Sequence, residues 1–174
     1  MKILITSFKP FNNMINNYST EVLNYINNPY KIVLDVVYDE CYNELKETNN
    51  LDEFDLIIAL GEARSRNVLT VETNAKNISS CSLKDNSGVL KQNELIIENG
   101  KSILETKVDL NLISDLIQLS NDAGKFVCNN LYYHLLNNYP SKSLFIHIPE
   151  CNNDTNKYQE YSKTIEKIIL TLTK

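Results

Sequence analysis

"FDLIIALG", residues 54–61, is the stretch on which the reading of the fold turns. Five consecutive apolar residues (56–60) run into a glycine with no alternation of polar and apolar positions. That pattern marks a strand covered on both faces, as in a parallel sheet sandwiched between helices. Working outward, "KILITSF" (2–8), "YKIVLDVVY" (30–38) and "SLFIHIP" (143–149) read as further strands. Between them lie segments of helical period: "STEVLNYIN" (19–27), with Asn17 or Ser19 available as cap; "DECYNELKETNN" (39–50); "LNLISDLIQLS" (110–120); "KFVCNNLYYHLLNNY" (125–139), closed by Pro140; and "YQEYSKTIEKIILTLTK" (158–174). Residues 62–100 are polar and turn-rich, with a strand-like piece at "ELIIE" (94–98). Strands alternating with helices predict a three-layer α/β/α sandwich around a mostly parallel sheet. The 174 residues suit one domain spanning 1–174, with no linker or internal repeat.

In such folds ligands collect at the carboxyl ends of the strands. That rule selects Phe8 to Phe11, Gly61 to Arg66, the loop before Cys128, and His147-Ile148-Pro149. Composition excludes other classes. A net charge of -5 without any basic run argues against nucleic acid and anionic membrane as partners. No apolar run approaches the length of a membrane span. The opening "MKILITSFKPF" lacks the apolar region and cleavage site of an export signal, which predicts a cytoplasmic protein whose four cysteines are free thiols. There is no C-x-x-C pair, and the two histidines lack ligand spacing, so no metal is expected. The many Asn-Asn pairs read as turn chemistry. With four glycines and no G-x-G-x-x-G or phosphate loop, a nucleotide-binding module is the weaker alternative.

One cysteine stands apart. In "NDAGKFVCNNLYYHLL" (121–136), Cys128 falls in the first turn of a helix, downstream of Gly124. Free N–H groups and the helix dipole there lower a thiol's pKa and could hold an oxyanion. The competing reading makes Cys128 a small core residue beside Val127, Leu131 and Leu135. A nucleophilic thiol needs a base. His134, six residues on, projects from roughly the opposite side of the helix, whereas His147 ends an apolar strand and is the better base. A carboxylate should orient that ring, and Glu72, Glu62 and Asp122 all qualify by position.

These motifs resemble those of the type I pyroglutamyl peptidases, or pyrrolidone-carboxylate peptidases, a family of cysteine exopeptidases. "ILITSFKPFNN" is similar to the family's I-L-V-T-G-F-D-P-F-G, "IALGEARSR" to I-G-Q-A-G-G-R, and "LTVETNAKN" to I-x-x-E-R-V-A-I-N. "SNDAGKFVCNNLYYHLL" resembles S-N-T-A-G-T-F-V-C-N-x-x-x-Y-x-x-L, and "FIHIP" resembles F-I-H-V-P. The resemblance implies Cys128 as nucleophile, His147 as base and Glu72 as orienting carboxylate. It places Phe8 and Phe11 against the substrate's lactam ring, with Asn17 and Glu62 in the same pocket. It implies an α/β/α sandwich, hydrolysis of an N-terminal pyroglutamyl residue from peptides, no metal or cofactor, and a cytoplasmic homo-oligomer, dimer or tetramer. The sequence departs from the family at Ser7 and Lys9, at Glu62 in place of glutamine, at Thr73-Asn74, and at Ser82, where a supporting arginine is usual; the stretch before "LSNDAG" is also short. An ionised carboxylate only accepts hydrogen bonds, so Glu62 is expected to repel a lactam oxygen unless backbone makes that contact. The alternative that these departures raise is a catalytically altered member that binds another small ligand or partner.

Overall fold

The computed structural model describes all 174 residues. Its elements, in chain order, are β1 (Ile3–Phe8), α1 (Tyr18–Tyr25), β2 (Lys31–Leu34), α2 (Glu40–Thr48), β3 (Leu56–Glu62), β4 (Thr70–Glu72), β5 (Asn74–Lys76), β6 (Ile103–Glu105), β7 (Gln118–Ser120), α3 (Val127–Asn138), β8 (Ser143–Ile148) and α4 (Thr155–Leu172). Six strands form one sheet in the order β2-β1-β3-β8-β4-β7. The strands β2, β1, β3 and β8 are parallel; β4 runs antiparallel to β8, with β7 parallel to β4. A separate antiparallel ribbon pairs β5 with β6.

The apolar run of β3 is the middle of this sheet, and each of its faces has its own core. Ile57 and Ala59 join Phe145 and the helix residues Leu45, Leu131 and Leu135 on one side. Leu56, Ile58 and Leu60 join Leu144, Ile146 and the helix residues Val22, Leu23, Ile165 and Ile168 on the other. Helices α2 and α3 therefore cover one face and α1 and α4 the opposite one, giving the three expected layers. Because side chains alternate along a strand, the positions next in step with Ile57 and Ala59, and with Phe145, are Gly61 and His147. Both thus turn toward α3 at the carboxyl end of the sheet.

Several boundaries differ from expectation. The strand read over 30–38 ends at Leu34, where Asp35 accepts the N–H of Val36 and starts a loop. Residues 110–120 form a single 3-10 turn at Leu110–Leu112 and then β7; of that stretch only Ile113 and Ile117 are buried, too few to hold a helix against the core. "ELIIE" (94–98) is not a strand: Asn77 takes the N–H groups of both Ile96 and Ile97 on its side-chain oxygen. Asparagine serves turns as expected. Asn12, Asn13, Asn152 and Asn153 all adopt positive φ, and Asn17 and Asn50 cap helices. No helix is long and apolar enough to cross a membrane.

Candidate active site

The carboxyl ends of β1, β3 and β8 open into a cleft of about 400 Å³ beside the start of α3. All four places selected from the sequence contribute to its lining: Phe8 and Phe11; Glu62 and Arg66; Asp122 to Phe126; and Cys128 with His147.

The segment before α3 turns at Gly124, whose φ of +77 favours glycine. Its N–H donates to Asp122 at 3.3 Å. Phe126 holds the cap position but offers no side-chain acceptor. The first helical bond runs from Asn130 N–H to the Phe126 carbonyl at 3.1 Å, which leaves the N–H groups of Val127, Cys128 and Asn129 free. Two buried amides then lock the helix in place. Asn129 bonds both backbone groups of Lys76 and the carbonyl of Ile78, and Asn130 bonds the backbone N–H and the carboxylate of Asp39. Cys128, half-buried, projects from this first turn toward β3. Its Sγ lies so close to Gly61 that a Cβ built there would be 2.7 Å from the sulfur.

Across the cleft, the His147 Nδ1–H donates to Glu72 Oε1 at 2.7 Å. The strand pairing makes this contact: Thr70 lies opposite His147 and Glu72 opposite Phe145 on the antiparallel neighbour. The carboxylate, which can only accept, fixes the tautomer and leaves Nε2 bare of hydrogen. Glu72 is completely buried and His147 nearly so. Arg66 completes the arrangement. Its Nη2 lies 2.6 Å from Glu72 Oε1 and donates to the carbonyl of Asp122 at 2.7 Å, while its Nη1 donates to Thr70 Oγ1. One guanidinium thus ties the buried carboxylate to the loop that leads into Cys128.

Burial would raise the Glu72 carboxyl, but the His147 hydrogen bond and charge, Ser120 and the Arg66 charge outweigh it and hold the carboxyl below its ordinary value. Burial pushes His147 below 6.5 against the pull of Glu72. The Cys128 thiol is pushed up to about 12, first by burial and then by the charges of Glu72 and Glu62. This corrects the expectation of an acidic thiol: removal from water outweighs the field of one helix end. No hydrogen bond joins Cys128 Sγ to the imidazole.

The other predicted residues also fall at the cleft. Phe8 is buried in its wall, and Phe11 stands half-buried against Phe126, ring centroids 5.8 Å apart. Asn17 spends its side chain internally: its oxygen accepts the N–H and hydroxyl of Ser19, and its amide donates to the Lys9 carbonyl. It shapes the loop behind Phe11. Glu62 is occupied too, since Oε2 accepts the Tyr18 N–H at 2.7 Å and Oε1 pairs with Arg64 at 2.6 Å. His134 is engaged elsewhere, bonded to Asp39 at 3.1 Å and stacked on Tyr42. No arginine stands at Ser82, which is exposed, and Arg66 is the cation beside Glu72. Reasoning from sequence included Arg66 in a candidate loop without giving it a role. Nor did it single out Asn129 and Asn130; their signal was two adjacent amides inside an otherwise apolar helix.

The pyroglutamyl peptidase family profile matches residues 1–174. The pyrrolidone-carboxylate peptidase of Brachyspira hyodysenteriae is 34% identical over 167 residues, covering 86% of this chain and 83% of its own. That of Thermosipho melanesiensis is 30% identical over 171 residues, covering 88% and 85%. Among solved structures, pyroglutamyl peptidase I from Bacillus amyloliquefaciens superposes with a TM-score of 0.88 at 24% identity, covering 98% of this chain and 94% of its own. A mutant pyrrolidone carboxyl peptidase from Pyrococcus furiosus superposes at 0.87 and 22% identity, covering 99% and 98%. These two establish the likeness of fold.

Proposed function

Since the chain belongs to the pyroglutamyl peptidase family, we propose that it hydrolyses the bond after an N-terminal pyroglutamyl residue of a peptide, with Cys128, His147 and Glu72 as its catalytic triad. The observation that carries this assignment is one cleft lined by a half-buried thiol at an uncapped helix start and by an imidazole held through Nδ1 by a buried carboxylate. Phe8 and Phe11 offer apolar walls to a flat lactam ring, and the chain beyond the scissile bond leaves through the cleft mouth.

The reaction starts from a neutral thiol and a neutral imidazole. As the peptide carbonyl settles against Cys128, His147 Nε2 takes the thiol proton and Sγ attacks the carbonyl carbon. The free N–H groups at the start of α3 receive the developing oxyanion; such donors are worth about 2.7–4 kcal/mol each in related chemistry. The imidazolium, stabilised by Glu72, passes its proton to the leaving amine. Water, deprotonated by the same Nε2, then hydrolyses the thioester and releases pyroglutamate and the thiol. Glu72 stays ionised throughout, with Arg66 compensating its charge. A cytoplasmic location fits four unpaired cysteines. Self-association into a dimer or tetramer fits the exposed Val89, Leu90, Leu95 and Ile103 on residues 89–103.

The test is release of a fluorogenic amine from its pyroglutamyl amide, before and after alkylation of Cys128. Turnover that disappears on alkylation is expected; a folded protein with an intact thiol and no turnover would defeat the proposal.

A further inference from the structure

Set against the motif G-Q-A-G-G-R, the run Gly61-Glu62-Ala63-Arg64-Ser65-Arg66 has Glu62 at the glutamine and Arg64 at a glycine, and in the fold these two residues meet. Arg64 Nε lies 2.6 Å from Glu62 Oε1, with Nη2 3.5 Å from Oε2. The carboxylate is almost fully buried (2% exposed) and the guanidinium only partly (34%). The other carboxylate oxygen accepts the backbone N–H of Tyr18, the first residue of α1. The guanidinium also lies over the Tyr18 ring, 4.4 Å from its centroid, and the Tyr18 hydroxyl donates to Glu150 at 2.5 Å, just beyond β8. Three contacts thus converge on the residue that ends the loop carrying Phe11 and Asn17.

We infer that Glu62 and Arg64 are a positioning pair that fastens the start of α1 to the end of β3 and so holds the loop of residues 9–17 against the ring-binding end of the cleft. The two members are unequal. Without Arg64 a buried carboxylate is left unpaired, a costly state that α1 escapes by moving away. Without the Glu62 charge, an amide oxygen still accepts the Tyr18 N–H and the partly exposed guanidinium turns to water. Removal of Arg64 is therefore damaging only while Glu62 is charged. This rests on the peptidase reading for its kinetic consequence, a loss of ring binding that exceeds the loss of chemistry.

Wild type, E62Q, R64A and the E62Q/R64A double variant are compared on the pyroglutamyl amide. R64A is expected to raise KM at least about fivefold with kcat within about twofold; E62Q, which alters a residue of the cleft itself, serves as the reference background in which the same R64A change should move KM by less than about twofold. The double variant should therefore have a KM within about twofold of E62Q alone, not the fivefold increase seen when Glu62 is intact. Hydrogen exchange of residues 11–20, faster in R64A and slowed again in the double variant, reads the same loop without substrate. An R64A chain that fails to fold while the double variant folds is the same rescue in its extreme form. Effects on KM that multiply independently, exchange unchanged in R64A, or failure of both R64A chains to fold overturn the inference. Absence of turnover in wild type overturns the peptidase reading instead, and the exchange comparison still decides the role of the pair.

Discussion

Gly61→Ala is the sharpest mechanical test of the site. Gly61 lies on β3 opposite His147, with Cys128 Sγ and the Phe145 ring on the side its Cβ would occupy. A methyl group there would stand 2.7 Å from Sγ, 2.7 Å from Phe145 Cζ and 2.8 Å from Cε1. Ordinary contact begins near 3.5 Å, so each neighbour must retreat by about 0.8 Å. Phe145 has little room, being fully buried between Tyr132 and His147 with ring centroids 5.5 and 4.9 Å away. The thiol, open to the cleft, yields more easily. Overpacking of this kind costs roughly 1–3 kcal/mol, and a misplacement near 1 Å of a reacting group costs roughly a hundredfold in rate. Loss of chain entropy in the unfolded state returns up to about 1 kcal/mol. The expected outcome is a modest loss of stability, about 1–2 kcal/mol in urea unfolding, alongside a fall in kcat of roughly a hundredfold. A variant with wild-type kcat and stability within about 0.5 kcal/mol would refute the claimed contact of Cys128 with β3.

Other perturbations probe the remaining parts. Arg66→Ala leaves the buried Glu72 without its guanidinium, and urea unfolding should show a loss of roughly 3 kcal/mol; an unchanged midpoint speaks against the clamp. Because His147 must be neutral to act as base and burial depresses its pKa, the acid limb of kcat/KM is expected below pH 6.5, and a midpoint at or above 7 contradicts that environment. The folded forms of His147 and Glu72 both bind protons less readily than in the unfolded chain. Their stabilising contribution is complete above the unfolded values and is lost as pH falls, from about 6.5 for His147 and about 4.5 for Glu72, which acid titration of the unfolding midpoint measures. Iodoacetamide labelling of Cys128, followed by peptide mass, should be slow at pH 7 and rise about tenfold per pH unit toward pH 9; rapid labelling that is flat with pH points to a resting thiolate.

What the sequence disclosed, and what it withheld, follows from where each signal resides. The central strand, the helix after Cys128 and the strand ending at His147 are written in unbroken or periodic apolar patterns, and those patterns hold because both faces of each element are buried. The elements left unassigned or read wrongly are the ones tertiary contacts decide. The strand β4 carries Thr70 and Glu72 toward the site, so it lacks the apolar pattern of a strand; its pairing with β8 brings the carboxylate to the ring. The stretch 110–120 has helical spacing at Ile113 and Ile117 yet ends as the edge strand β7. Cys128 and His147 were legible because only two histidines compete for the role of base. Glu72 was one of several acids until the family resemblance selected it, and Arg66 gained its role only from the fold. A helix start is visible in sequence, whereas the depth at which it buries a sulfur is not.

Hydrolysis through the proposed triad requires an acyl group to pass through Cys128. Rapid mixing of the protein with a pyroglutamyl ester, acid quench and intact-mass measurement tests this directly. The expected result is a pyroglutamyl adduct that maps to Cys128, disappears as pyroglutamate is released, and is absent from Cys128→Ala. Turnover that persists in Cys128→Ala would contradict it.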